Sequence, residues 1–180
     1  MDGLARFART IDGINEVIGR ITSWSALCLV FVQFGIVMIN YLYSEGSIAV
    51  QESLTYMHSL LFLGAAGYTL LHNGHVRVDI FYSKMNERRK AYVNLVGSLV
   101  ILFPVLIFIG FYALPYVSQS WEIMEGSTES SGLHLVFLLK SMILLFVVST
   151  FIQGVSISIH SVLTLLGHEH LKEERLGEGV

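Results

Sequence analysis

Residues 50–79 read VQESLTYMHSLLFLGAAGYTLLHNGHVRVD, and their central part is a long apolar run without an internal charge. A helix needs about 20 apolar residues to cross the hydrocarbon core of a bilayer. The run lies between the polar pair Gln51-Glu52 and the polar exit GHVRVD at residues 74–79. This stretch therefore predicts a transmembrane helix over residues 52–73.

Three further apolar runs flank this helix, at residues 21–43, 91–117 and 133–166. The chain has 180 residues, of which 53% are hydrophobic and 14% charged, and its mean hydropathy is +0.64. These values are typical of integral membrane proteins. Backbone amides in lipid must bond within their own segment, so long apolar runs indicate helices. The predicted fold is all-α, a single membrane domain over residues 1–180 with four transmembrane helices.

The segment before the first span has apolar residues at intervals of three and four, with charged residues between them. This spacing predicts an amphipathic helix over residues 4–19 that lies in the membrane surface. Two interpretations stay open: a simple lead-in to the first span, or a docking surface for a partner helix.

Lysine and arginine residues indicate the orientation, because positively charged short loops stay in the cytoplasm. Three precede the first span, five lie between the second and third, and two follow the fourth, which is ten of the eleven. The two remaining loops carry only acidic charges. Both termini, including a tail at residues 167–180, are therefore predicted to face the cytoplasm.

The spans contain few groups that could carry chemistry. Apart from Glu52 at the very start of the second span, they hold no aspartate or glutamate. They show neither paired broken helices nor an internal repeat, which argues against a carrier that works alone. Phosphate-loop and nucleophile-elbow motifs are missing, and the net charge of −3 does not favour nucleic acid. Neither an enzyme nor a nucleic-acid-binding protein is indicated.

Lys140 lies seven residues into the fourth run. Its long side chain is expected either to extend to the outer headgroups or to form a salt bridge with another helix or a partner protein. Gly64 and Gly67 share one face of the second helix and permit close approach of another helix. Packing within the chain and docking to a partner explain this patch equally well.

Four histidines offer a competing interpretation, because facing histidines in a four-helix bundle can hold haem at two depths. The simpler explanation is that they are hydrogen-bonded residues near the ends of the spans. They are His58 and His134 toward one side and His72 and His160 toward the other.

Helix breakers also mark the spans. Pro104 is expected to bend the third span, and Pro115 to mark its outer end. Gly74 is expected to end the second helix in a left-handed conformation.

Several motifs together resemble those of the small membrane subunit, the Q or DctQ-type protein, of tripartite ATP-independent periplasmic (TRAP) transporters. The similarity extends over about residues 10–165. The motifs are Gln51-Glu52, Phe62-Leu63-Gly64-Ala65-Ala66, the exit Gly74-His75-Val76-Arg77-Val78-Asp79, Gly132-Leu133, Phe137-Leu138-Leu139-Lys140 and Gln153-Gly154. The exit, with His75, Arg77 and Asp79, is the most specific of them.

The resemblance implies an accessory subunit in a bacterial inner membrane. A large membrane subunit would carry solute and sodium, a periplasmic binding protein would deliver an organic-acid-type solute, and this chain would brace the large subunit without a cofactor of its own. A haem-carrying membrane anchor and a small stand-alone carrier are the alternatives. Candidate contacts to the binding protein are Glu45, Gln51, Glu52, Glu122, Glu125 and Glu129.

Overall fold

The computed structural model describes residues 2–75 and 82–167, and it contains no strand among them. Four helices in this part of the chain are long and apolar enough to cross a membrane. They are α1 (Asp2–Tyr43), α2 (Ile48–Leu71), α3 (Glu87–Glu122) and α4 (Val136–Leu165). The predicted all-α fold with four spans is confirmed, while the orientation in the membrane stays a prediction.

Helix α4 lies at the centre of the arrangement. It packs against α1, α2 and α3, whereas α1 and α2 also pack against each other and the main contacts of α3 are with α4. Both α1 and α3 consequently keep broad apolar faces uncovered, for example at Phe31 and Phe34 on α1 and at Ile101 and Phe108 on α3.

Two names distinguish the ends of the molecule. The acidic end holds residues 44–47 between α1 and α2 and residues 123–135 between α3 and α4. The basic end holds the start of α1, residues 82–90 and the end of α4. Arg77 and Asp79 of the exit motif, and nearly all of the predicted tail, lie outside the described residues.

The predicted surface helix and first span are one continuous helix, α1, of 42 residues. At 1.5 Å per residue it is about 63 Å long, twice the roughly 30 Å hydrocarbon core. The helix does not end near residue 20 because Asp12, Asn15 and Gly19 are buried against neighbouring helices. Packing therefore keeps residues 4–19 continuous with the first span.

The first half of α1 has three faces. Leu4, Phe7 and Ile14 form an exposed apolar flank, whereas Arg6 and Arg9 are exposed on the opposite flank. Between these flanks runs the buried face of small and polar residues. The amphipathic pattern describes the apolar flank and the basic flank, but it does not account for the buried face between them.

A π-helical turn, Ser98–Leu102, interrupts α3 just before Pro104. Proline lacks an amide proton, so the preceding ladder is free to shift to the wider spacing, and Phe103 N–H donates to Ser98 O. The prediction that Pro115 ends this helix was wrong, because α3 continues to Glu122. A second π-helical turn, Leu60–Gly64, lies within α2.

The end of α2 is also built differently from the prediction. Asn73, at φ +55°, takes the left-handed conformation that was expected of Gly74. Gly74 follows it, and its N–H donates to Thr69 O at 2.8 Å. Asparagine tolerates this backbone region better than most residues, and the pair forms a Schellman-type ending.

Candidate functional site

A row of polar side chains joins α1 to α4 in the interior. On each helix its members recur at intervals of three and four, so each set occupies one face. Polar groups placed this deep are stable only when they bond to one another. We call this row the polar seam, and it consists of Asp12, Asn15, Ser149, Gln153, Ser156 and His160.

Asp12 is the acceptor at the centre of the seam. Its Oδ1 accepts a hydrogen bond from Gln153 Nε2 at 2.8 Å and another from Ser156 Oγ at 2.7 Å. Its Oδ2 lies 3.2 Å from His160 Nε2. A single carboxylate on α1 thus engages three side chains along almost two turns of α4.

Gln153 connects this carboxylate to the next turn of α1. Its Oε1 accepts from Asn15 Nδ2 at 2.8 Å, while its own amide N–H groups face Asp12. Asn15 Nδ2 also lies 3.3 Å from Ser149 O. Gln153 and Asn15 have no exposed surface, so these bonds are shielded from competing water.

Asp12 lies before the first predicted span, so it was not counted among the groups inside the membrane. Asp12 had been assigned to a surface helix, yet it is buried against α4. The signal that could have revealed it is on α4, where Ser149, Gln153, Ser156 and His160 follow one another at spacings of four, three and four. Such a polar face in an apolar helix requires a polar partner.

Gly64 and Gly67 bring α2 against the seam. A Cβ on Gly67 would lie 2.5 Å from Asn15 Oδ1 and 2.8 Å from Ser149 O. Both distances are shorter than those that Cβ atoms keep from other heavy atoms in proteins. A Cβ on Gly64 would lie 2.9 Å from Thr22 Cγ2. Of the two interpretations left open by the sequence, the structure uses this patch for packing within the chain.

At the acidic end, Glu52 holds the loop between α3 and α4. Its carboxylate accepts hydrogen bonds from the Ser127 hydroxyl and, at 2.6 Å, from the Leu133 backbone N–H. Gly132 passes so close that a Cβ there would lie 2.8 Å from Glu52 Oε1. We call this arrangement the loop clamp.

Lys140 forms an ion pair with Glu125 from the same loop. Its Nζ also lies 4.0 Å from the centre of the Tyr116 ring, on α3. The hydrogen bond from Lys140 lowers the pKa of Glu125 below its ordinary value. The salt-bridge alternative for Lys140 is thus the one observed, and its partner is within the chain.

The acidic residues predicted to contact a binding protein therefore divide into two groups. Glu52 and Glu125 are engaged in holding the loop between α3 and α4. Glu45, Glu122 and Glu129 are exposed at the acidic end, as is Gln51. Contact with another protein stays a prediction for this second group.

The histidines considered for haem do not share one environment. Glu16 Oε2 lies 2.7 Å from His72 Nε2, and Asp12 Oδ2 lies 3.2 Å from His160 Nε2. Each imidazole of this pair would have to leave a carboxylate to bind iron. His58 and His134 are exposed, and His58 stacks on Phe62 with the ring centres 4.5 Å apart.

These features define a multi-pass membrane protein whose internal polar groups join its own helices. Residues 29–166, more than three quarters of the chain, match the family model described as tripartite ATP-independent periplasmic transporters, DctQ component. The chain belongs to this family, so it is the small membrane subunit of a TRAP transporter and not an enzyme. No curated protein and no solved structure matches it.

Proposed function

We propose that this chain braces the large membrane subunit of a sodium-coupled TRAP transporter that imports organic-acid-type solutes into bacteria. Family membership supports the complex with a large subunit and a binding protein. Sodium and solute would bind the large subunit, and this chain would contribute no cofactor. The basic end would face the cytoplasm, as the distribution of lysine and arginine favours.

One observation carries the bracing role. The interior is joined by the polar seam and the loop clamp, while α1 and α3 leave broad apolar faces uncovered; Phe31 is 67% exposed and Phe108 is 63% exposed. A brace needs an internally fixed scaffold and an apolar surface against which another membrane protein can pack. Both are present in this chain.

Co-purification with the large subunit tests the proposal. The two subunits should be recovered in equal amounts. In a Cys28→Ser background, which removes the exposed native cysteine, a single cysteine at Phe34 or Phe108 should cross-link to the large subunit. A cysteine at Tyr43, exposed at the end of α1, serves as the control. Solute transport by this chain alone in liposomes, or haem absorbance in the pure protein, would contradict the bracing role.

The exposed carboxylates of the acidic end support a contact with the periplasmic binding protein. A triple variant with Glu45→Gln, Glu122→Gln and Glu129→Gln should bind that protein more weakly, while recovery of the large subunit is unchanged. The engaged carboxylates Glu52 and Glu125 should be left intact in this variant, because their loss would alter the loop itself. Unchanged docking of the binding protein would exclude the contact.

A further inference from the structure

A groove of about 380 Å³ lies on α4, between the start of α1 and the middle of α3. Neither the seam nor the loop clamp uses it. Its walls and floor include Leu4, Phe103, Val155, Ile159, Val162 and Leu166. We propose that this groove holds one acyl chain of a membrane phospholipid, a binding site separate from the bracing surface.

The lining selects a hydrocarbon ligand. Among the described residues that line the groove, Ser158 alone carries a hydroxyl, and it donates its proton to Gly154 O at 2.8 Å within α4. A ligand with polar groups would lose its hydration in this groove and gain few bonds in return. An acyl chain has no polar groups and therefore loses no such hydration.

The dimensions also fit one acyl chain. From Val155 on α4 to Leu166, the residue that follows the helix, there are 11 residue steps, or about 16 Å at 1.5 Å per residue. One leaflet contributes about half of a core of roughly 30 Å, or about 15 Å.

The position of the groove lets a lipid enter from the bilayer. Leu4 belongs to the apolar flank of α1, with Phe7 and Ile14, and not to the flank of Arg6 and Arg9. Leu4 and Leu166, both more than half exposed, lie toward the basic end. The basic end also carries Lys84, Arg88, Arg89 and Lys90 between α2 and α3, so a headgroup there would lie in a region of positive charge, which favours an anionic phospholipid.

Replacing Ile159 by tryptophan tests the site, because the larger ring would fill the floor of the groove. The full-length chain, with any membrane subunit that accompanies it, is stripped of lipid in mild detergent and given palmitoyl-oleoyl phosphatidylglycerol. Native mass spectrometry then counts the lipid retained per chain. Each buried methylene contributes roughly fourfold to binding, so blocking about two positions should lower retention about fifteenfold.

Val148→Trp is the matched control, since Val148 lies on the same helix, is 58% exposed and does not line the groove. Retention of one phospholipid by the unmodified chain and by Val148→Trp, with loss in Ile159→Trp, supports the proposal. Should Ile159→Trp fail to fold, Val155→Phe replaces it with the same readout.

Three results would overturn the acyl-chain site. The unmodified chain could retain no phospholipid, or both tryptophan variants could retain it equally. Alternatively, Ile159→Trp could keep its lipid and release an accompanying membrane subunit, which would show that a protein occupies the groove. Loss of the bracing function alone would leave the lipid measurement unchanged, so the two proposals fail independently.

Discussion

Asp12 of α1 and Gln153 of α4 are 141 residues apart in sequence, yet a hydrogen bond of 2.8 Å joins Oδ1 to Nε2 in the interior. The same glutamine accepts a bond from Asn15. Because the glutamine amide donates to one residue of α1 and accepts from another, it matches α4 to a single register on α1. A slip of α4 by one residue would break both of these bonds.

Replacing Gln153 by leucine should therefore destabilise the chain. Leucine is similar in size, but it leaves Asp12 and Asn15 each without one buried partner, at a cost of about 1–3 kcal/mol. Circular dichroism during thermal unfolding in detergent measures the loss. Gln33→Leu is the control, because Gln33 is exposed on α1, and it should unfold at or above the temperature of the unmodified chain. Equal behaviour of the two variants would refute a stabilising seam.

Gly67→Ala should destabilise the chain, although it adds only one methyl group. The added methyl group would lie 2.5 Å from Asn15 Oδ1 and 2.8 Å from Ser149 O, and a backbone oxygen cannot move aside without shifting α4. We expect a loss of about 1–3 kcal/mol in unfolding free energy, as in other overpacked interiors.

The matched control for this change is Gly35→Ala, for which an added Cβ meets nothing within 4 Å. Alanine forms helix better than glycine does, so this variant should be neutral or more stable. The two substitutions are chemically identical, but Gly67→Ala is predicted to lower the free energy of unfolding and Gly35→Ala to leave it unchanged or raise it. Gly67→Ala with unchanged stability would show that α2 does not pack tightly on the seam.

The apolar runs were enough to predict four spans, because the length of a span depends on local composition alone. The seam could not be predicted in the same way. Whether Asp12 faces water or α4 depends on how two helices far apart in sequence are paired, and the charges around it, Arg9 and Glu16, favoured a surface location. Only the spacing of Gln153 and Ser156 on α4 indicated a polar partner.

At the acidic end, too, contacts between residues far apart in sequence could not be predicted. Glu52 and Glu129 have the same side chain and both lie toward the acidic end, so the sequence assigned them one role. Glu52 differs because residues 127 and 133 fold back onto it, and that depends on the loop conformation. Gly132 allows the close approach, a requirement that is visible only once the chain is folded.

Glu52→Gln should loosen the loop between α3 and α4 without unfolding the helices. The Ser127 hydroxyl and the Leu133 N–H bond to different oxygens of Glu52. Glutamine keeps one of these acceptors, now uncharged, and places a donor NH₂ group at the other. Hydrogen exchange at residues 127–133 should become faster, by about tenfold if about 1.4 kcal/mol of local protection is lost. Glu45→Gln, at the other exposed loop, should leave this exchange unchanged. Unaltered protection in Glu52→Gln would show that other contacts hold the loop.

The pair of Lys140 and Glu125 should make stability depend on pH. Since Lys140 lowers the pKa of Glu125 below the ordinary carboxyl value of 4.5, the pair stabilises the fold above that pH. This contribution is lost as the pH falls through the lowered pKa, where Glu125 takes up a proton. The unfolding temperature of the unmodified chain should therefore decrease between pH 5 and the acid range.

Lys140→Met removes the cause of this shift and so separates the pair from other acid effects. The variant should unfold at a lower temperature at pH 7 and should lose less on acidification, because its Glu125 is no longer held as a carboxylate by an ion pair. Glu129→Gln, at an exposed position of the same loop, should follow the unmodified chain at every pH. Since the partner of Lys140 lies within the chain, recovery of the large subunit should persist in Lys140→Met. Parallel pH curves for the variant and the unmodified chain would mean that the ion pair does not contribute to stability.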